Sequence, residues 1–566
     1  MFRLPPDSAR KSEMLDEIRS RCARHPRWTL ALVTLAALLP FLAKPFNIDD
    51  PLFLWTAKQI QVHPANFYSF SVNWYGEMQP MWSVTENPPL AGYYLALAAT
   101  ILGWSETALH FAFVLPAVAA VLGTYRLAKI FCAWPMLAAL ATLLTPVFLV
   151  SATTVMCDVP MLAFWVWATV FWIEGIEKNN SRKLFFSALL IALAALTKYF
   201  GACLIPLLVV YALAAKRKFD WQLLWLLLPV VTLCGYQIAT LALYGHGGLS
   251  EATGYAAYAK GFLGFSGLAT ALTALTFTGG CLATAFFFTP LLWRARTQAA
   301  LIVGAIVVAA ILLPTVMAKY DPIQGVSRTL VEFQIVFWAA GGVGVLALTV
   351  AEIWERRDAQ SWLLALWVCG TFLFAALFNW TVNGRSLLPM APALGILLAR
   401  RLEKKFPAGA KIVWPRGATI CLAAGAVLSL LVARADFSLA VADRQSAQQV
   451  CAKCGQGPGA VFFQGHWGFQ YYMQQQGATA LDVRHSRLQP GDCLVVPVNN
   501  TSLFPVNSET TAQREIISVA GPDWLTTWSA PAGAGFYAAA RGPLPFAFGN
   551  VPTENVIIYD LKPAAK

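Results

Sequence analysis

Between Trp28 and Ala433 the chain repeats one pattern: an apolar run of about 15 to 28 residues, then a short polar connection, then another run. A run near 20 residues is what an α-helix needs to cross the hydrocarbon layer of a bilayer. Helices and closed barrels are the structures that can cross, because every backbone N–H and C=O must find its partner inside the protein. With 58% hydrophobic and only 12% charged residues, the chain has too little polar side chain to cover a water-soluble globule. It reads as a polytopic α-helical membrane protein in which only the last 130 or so residues have a soluble composition.

The net charge of +12 does not indicate a nucleic-acid surface, because the basic residues fall in short clusters between apolar runs, where they set orientation. Seven of them (Arg3, Arg10, Lys11, Arg19, Arg21, Arg24 and Arg27) precede the first run, which places the N-terminus in the cytoplasm. That run, Trp28 to Ala43, has no small-residue cleavage site, so it is expected to remain as the first span. The stretch Pro88 to Gly103 decides the rest. If it lies on the surface, 25 Lys and Arg face inward and 7 outward. If it crosses, 18 of the inward charges move outside and only 5 move in. The surface arrangement follows.

It gives about thirteen spans, at 28–43, 106–125, 134–150, 159–176, 183–197, 199–215, 221–244, 266–293, 298–317, 330–352, 361–379, 384–399 and 417–433. Residues 1–27 are then a basic cytoplasmic N-terminus, 28–433 the transmembrane domain with a long first outer loop at 44–105, and 434–566 a small α/β domain on the far side. No internal repeat is visible, and no broken central helix is read from the pattern.

The first outer loop is rich in rings, among them Phe46, Trp55, Phe67, Tyr68, Trp74, Tyr75, Trp82, Tyr93 and Trp104, which favour the headgroup level. Asp50 before Pro51 predicts a helix from Pro51 to about Val62, lying along the membrane with Asp50 as N-cap. A second helix starts at Pro88. Carboxylates at a lipid border are costly unless used. Asp49 has no capping duty and is the candidate general base, with Asp50 beside it. Asp158, just before the fourth span on the same side, is either a second N-cap or the partner acid.

Five segments together resemble a known family. They are Ile48-Asp49-Asp50-Pro51, Glu86-Asn87-Pro88-Pro89-Leu90, the loop Thr153 to Pro160 holding Asp158, Leu196-Thr197-Lys198, and, more weakly, Gly384-Arg385-Ser386-Leu387-Leu388-Pro389. They are similar to motifs of the C-type-fold polyprenyl-phosphate-sugar glycosyltransferases. In particular they resemble the dolichyl-phosphate-mannose protein mannosyltransferase-like branch, which includes the lipid A aminoarabinose transferase. The resemblance runs over about residues 25 to 400 and departs at Asn87, His110 and Ser386, where relatives have lysine, arginine and tyrosine.

The resemblance implies a hexosyl- or pentosyl-transferase. Its donor would be a sugar on a polyprenyl phosphate, its acceptor a protein, lipid or glycan, and its setting the extracytoplasmic face of a bacterial-type inner membrane. Asp49, Asp158 and Asp50 are the catalytic candidates. The donor phosphate would be held by Lys198, Arg385, Lys319, Arg328 or His63, since Asn87 cannot supply the lysine's charge. Glu86, Asn87 and Tyr93 are candidates for donor or acceptor binding. No cofactor is required. Since the leaving group carries one phosphate, no nucleotide-type divalent metal is demanded, and no nucleotide-sugar site, Gly-rich phosphate loop or ligand set is visible, although a metal is left open. The rival readings are a lipid-linked sugar transporter or flippase, which would need paired repeats and midplane charges, and a non-catalytic scaffold.

Beyond Arg434, strands are expected at Ala460–Phe463, Cys493–Pro497, Glu515–Val519 and Asn555–Tyr559, with a helix from His466 to Gln476 whose aromatics serve a core, the alternative being a sugar platform. Cys451, Cys454 and Cys493 are expected to supply a structural disulfide, although Cys451-x-x-Cys454 also has the spacing of a redox motif.

Overall fold

The computed structural model describes residues 24–263, 267–320, 326–407, 414–455 and 459–562. The basic segment 1–23 and Lys411 lie outside the described residues. Among these residues eight helices are long and apolar enough to cross a membrane, or up to ten if each of two bent pairs is one span. Three further apolar runs, at 28–43, 183–197 and 384–399, form the helices Pro26–Leu38, Ser181–Thr197 and Met390–Lys405, each shorter than 18 residues. Met390–Lys405 is walled in by protein along nearly its whole length, from Met390 through Arg400. Its apolar composition therefore reflects the protein interior.

The bent pairs correct the expectation of unbroken helices. Pro135–Leu143 and Pro146–Ala152 meet at 63°, and Gly267–Cys281 and Thr284–Leu292 at 86°. Pro146 supplies no N–H and disfavours helix at Thr145, so the first break follows from its ring. The freed groups are satisfied locally. Thr145 Oγ1 accepts from Phe148 N–H at 3.3 Å, and the carbonyl of Leu144 accepts from Ser429 Oγ at 2.9 Å and from Thr284 Oγ1. The two breaks thus share one carbonyl, and backbone that leaves the helical path is tolerated because protein surrounds it. Close approach elsewhere depends on glycine: a Cβ on Gly279 would sit 1.8 Å from the Trp338 carbonyl, and one on Gly342 2.1 Å from that of Leu275.

In the first loop, Asp50–Val62 is helical, as Pro51 predicts. Two details differ. Asp49 occupies the N-cap position without a side-chain cap bond, while Asp50 is the first helical residue. The helix is also buried on several sides (Leu52, Phe53, Leu54, Ala57, Ile60) and so packs within protein. The neighbouring helix Leu90–Leu102 fits against it through Gly92, where a Cβ would meet Thr56 at 2.9 Å. With 13 residues that helix is shorter than a span and exposes Leu97 and Ile101.

The C-terminal residues form a five-stranded sheet in the order Thr479–Ala480, Val461–Phe463, Cys493–Pro497, Glu554–Leu561, Thr511–Val519. The first three strands are parallel and the last two pairings antiparallel. Helix Trp467–Gln475 is the crossover and docks on the first loop. Gln470 Nε2 donates to Asn73 O at 2.7 Å, and Phe46 N–H donates to Tyr472 Oη at 2.8 Å. Its aromatics are buried. One unbroken helix, Arg416–Cys454, runs from the apolar body to the sheet, and residues 433 and 434 lie within it. Cys451, Cys454 and Cys493 are free thiols, so the expected disulfide is not formed.

Candidate functional site

A cavity of about 690 Å³ opens among the first loop, the start of helix Asp158–Lys178, the turn after Ser181–Thr197, the helix Gly248–Leu263 and the segment 374–386. Asp49, Glu86, Asn87, Lys198 and Arg385, all singled out by sequence, line it. Its other wall is apolar, with Phe374, Leu377 and Phe378 presented by a single π-helical turn, Phe374–Phe378.

The ionisable groups form an alternating row. Arg385 Nη2 donates to Asp49 Oδ2 at 2.8 Å, Arg385 Nη1 stands 4.0 Å from Asp158 Oδ2, and Lys198 Nζ donates to Asp158 Oδ1 at 2.6 Å. Asp158 is 1% exposed, while Asp49 is 27% exposed. Asp158 therefore lies behind the two cations and does not line the cavity, whereas Asp49 reaches it. Lone ions could not be buried at such a depth, and the alternation makes the burial tolerable.

Each member is held by local sequence. The turn before Asp49 is tight, with Ile48 at φ +48°, a conformation costly for a β-branched residue. Asn47 Oδ1 accepts from Ile48 N–H at 2.7 Å, and Asp50 Oδ2 accepts from Asn47 N–H at 2.9 Å. Asp50 Oδ1 also accepts from Val155 N–H at 3.0 Å, which ties the Asp158 loop to the first loop. Burial pushes the Asp50 carboxyl up to about 7, against the pull of Lys44. Asp50 does not line this cavity and fixes two backbones. Arg385 sits on the short helix Gly384–Leu387, where Asn383 Oδ1 accepts from Ser386 N–H at 2.8 Å and Asn379 Nδ2 donates to Ser386 Oγ at 2.9 Å.

Glu86 is on the cavity wall, and burial, with Glu251 nearby, raises its carboxyl to about 8. Asn87 accepts from Tyr68 Oη through its carbonyl at 2.6 Å.

Four sequence candidates lie elsewhere. Tyr93 donates its hydroxyl to Pro64 O. His63 is exposed at the end of the first loop helix. Arg328 pairs with Glu332 at 3.0 Å at the start of its own helix. Lys319 is exposed and is not among the lining residues. His110, the departure from the family's arginine, is buried with Nδ1 2.8 Å from Glu106 O, stacked on Phe46.

Sequence reasoning missed Lys260, which lines the cavity from helix Gly248–Leu263. Leu249, Ala252, Thr253, Ala256 and Lys260 share one face of it at helical spacing, a signal that was there to be read. It also missed Tyr75 and Tyr255, which line the cavity. Among the described residues no group of three His, Cys, Asp or Glu side chains is placed to hold a metal ion.

Residues 86–244 match the family model described as dolichyl-phosphate-mannose-protein mannosyltransferase. The chain resembles that family over this segment. The matched stretch includes Glu86, Asn87, Asp158 and Lys198, whereas Asp49 and Arg385 lie outside it. No curated protein matches the chain at a significant level.

Solved structures give distant likenesses. ArnT from Cupriavidus metallidurans bound to undecaprenyl phosphate is 13% identical, with a TM-score of 0.45, covering 83% of this chain and 92% of that one. The archaeal oligosaccharyltransferase AglB from Archaeoglobus fulgidus, in complex with an inhibitory peptide and a dolichol-phosphate, is also 13% identical, with a TM-score of 0.45, covering 81% of this chain and 64% of that one. The arabinofuranosyltransferase AftD from Mycobacteria is 14% identical, with a TM-score of 0.41, covering 95% and 40%.

Proposed function

We propose that this chain is a membrane glycosyltransferase that moves a sugar from a polyprenyl-phosphate carrier to an acceptor on the extracytoplasmic side. The observation that carries the reading is the row Asp49, Arg385, Asp158, Lys198 beside a cavity whose opposite wall is apolar. Such a site offers a carboxylate and cations to a polar head and a dry face to an isoprenoid, and the family match over 86–244 is in keeping with it.

In the proposed reaction the acceptor hydroxyl or amine attacks the sugar's anomeric carbon and gives its proton to Asp49. The bond from that carbon to the phosphate oxygen breaks, and its electron pair leaves with the polyprenyl phosphate. Arg385 and Lys198, with Lys260 also on the cavity wall, hold the charge that develops there. Asp158 faces no substrate and orients the two cations from behind. Arg385 now occupies Asp49; a phosphate that draws the guanidinium away leaves a carboxylate oxygen free for the acceptor's proton. Donor binding thus prepares the base. Glu86, protonated at neutral pH, is a hydrogen-bond donor to a sugar hydroxyl.

The test is release of polyprenyl phosphate by purified protein given a panel of polyprenyl-phosphate hexoses and pentoses with membrane acceptors. Asp49→Asn should cut turnover by at least about 100-fold, and Arg385→Ala by about 100- to 1,000-fold, at normal protein levels. Unchanged turnover in Asp49→Asn removes it as the base.

A second reading, a transporter of the lipid-linked sugar, draws on the two bent helix pairs. Residues 135–152 and 267–292 carry no ionisable acid or base except Cys281, which speaks against midplane charge coupling. Movement of the donor across proteoliposomes without release of carrier phosphate would favour it.

A further inference from the structure

Arg385 is held by more than the acidic row: its Nη1 also lies 2.9 Å from Met156 Sδ. The ring of Tyr537, from the C-terminal part of the chain, stands 5.5 Å from the guanidinium carbon. Tyr537 Oη bonds both oxygens of Asp436, at 3.0 and 2.9 Å. Asp436 lies on the long helix Arg416–Cys454 and is closed off by Lys44 Nζ at 2.5 Å and Thr527 Oγ1 at 2.7 Å. Lys44 and Asp436 are 0% exposed and Tyr537 3%.

The backbone repeats the attachment. Gly384 N–H donates to Phe536 O at 2.7 Å and Ala539 N–H donates to Val382 O at 2.8 Å, one bond on each side of Tyr537 and both just before Arg385. A Cβ on Gly384 would lie 2.6 Å from the Phe536 ring, so glycine is what lets the two segments lie this close.

We propose that residues 536–539 of the C-terminal part complete the site, with Tyr537 as a positioning residue that holds Arg385 toward the cavity and Asp436 as the anchor that fixes the ring. The inference rests on the phosphate-holding role given to Arg385 above. A cation over a phenol face is attracted by the ring's electrons, and the hydrogen bond from Oη to a carboxylate keeps the ring from turning away. The guanidinium Nε is buried and unbonded, so its orientation depends on its two Nη atoms and this face. Without the face, Arg385 keeps only the partners of its two Nη atoms, Asp49, Asp158 and Met156 Sδ, and the guanidinium plane loses the surface that fixes its tilt. Residues 536–539 do not themselves line the cavity; the C-terminal part acts on it from behind, through Arg385.

The test reads Arg385 directly, in the full chain in detergent. Phenylglyoxal adducts on Arg385 are counted by mass spectrometry with and without undecaprenyl phosphate, in wild type, Tyr537→Phe and Tyr537→Leu. A contact of this kind corresponds to roughly 2- to 30-fold in an equilibrium, so Tyr537→Leu should label about tenfold faster than wild type while Tyr537→Phe, which keeps the ring but loses its bond to Asp436, should label at a rate between the two. Equal labelling of Arg385 in wild type and Tyr537→Leu overturns the inference, as does Tyr537→Phe labelling as fast as Tyr537→Leu. If undecaprenyl phosphate gives wild-type Arg385 no protection, the phosphate role fails, yet the difference between variants still decides what Tyr537 does. Should Tyr537→Leu not fold, Asp436→Asn is read the same way and is expected to label faster than wild type.

Discussion

Asp49 and Arg385 stand 336 positions apart in the chain and 2.8 Å apart in space. Their pairing illustrates what single residues tell before a fold is known. The acid was legible because a carboxylate at a lipid border without capping work is unusual, and the arginine because it opens a late apolar run. Their distance was not legible, since no local pattern reports a contact of that separation. Asp50 misled for the same reason: next to Pro51 it has every mark of an N-cap, and its real partner, Val155 N–H, comes from a loop a hundred positions on. Glu86 offers a prediction at this scale. Its folded carboxyl titrates near 8 and its unfolded one near 4.5, so between those values the folded chain keeps a proton that the unfolded chain releases. Stability from this group is therefore fully present below about pH 4.5 and is lost as pH rises toward 8. Thermal midpoints of detergent-solubilised protein should fall from pH 5 to pH 9, and Glu86→Gln, which cannot ionise, should flatten that fall. An unchanged slope in the variant would mean Glu86 is not held neutral.

Helices carry the next level. Apolar runs were readable because hydropathy accumulates over about 20 residues and survives errors of a few positions. Where a helix breaks was less readable. The first bend has its cause in Pro146, although the run 134–150 reads as one span, and the second, at 282–283, falls in the run Cys281-Leu282-Ala283-Thr284, with no proline or glycine at the break itself. Its cause is tertiary, with Thr284 Oγ1 turned to the Leu144 carbonyl. The crossing of Gly267–Cys281 with Arg328–Arg356 gives a sharper prediction. At Gly342 an added side chain would run into the Leu275 backbone, which has no flexible end to move aside. Gly342→Val should cost about 1–3 kcal/mol or more, seen as a lower unfolding midpoint, while Gly344→Val, at a position facing open space, should leave it nearly unchanged.

At the level of the whole molecule the balance of charge around the cavity makes a statement about what the reaction needs. Three cations, Arg385, Lys198 and Lys260, stand on its walls. If they neutralise the departing phosphate, sugar transfer should be unaffected by EDTA in washed membranes. A loss restored by magnesium or manganese would reassign that duty to a metal. The sheet at the C-terminal end was visible in its strands, because short β-branched and aromatic runs flanked by Gly, Pro and Asn are local signals. That Tyr537 and Asp436 would turn back to the membrane body was invisible, because it depends on the path of the whole chain. The rod that makes this return possible has 39 residues, or about 58 Å at 1.5 Å per residue, nearly twice the thickness of the bilayer's oily layer. It passes from one region to the other without a joint. Like a mast stepped through a deck, it carries Asp436 in the same continuous helix as the last apolar run, so the foot of the Tyr537 ring is planted in the hull and not in the rigging.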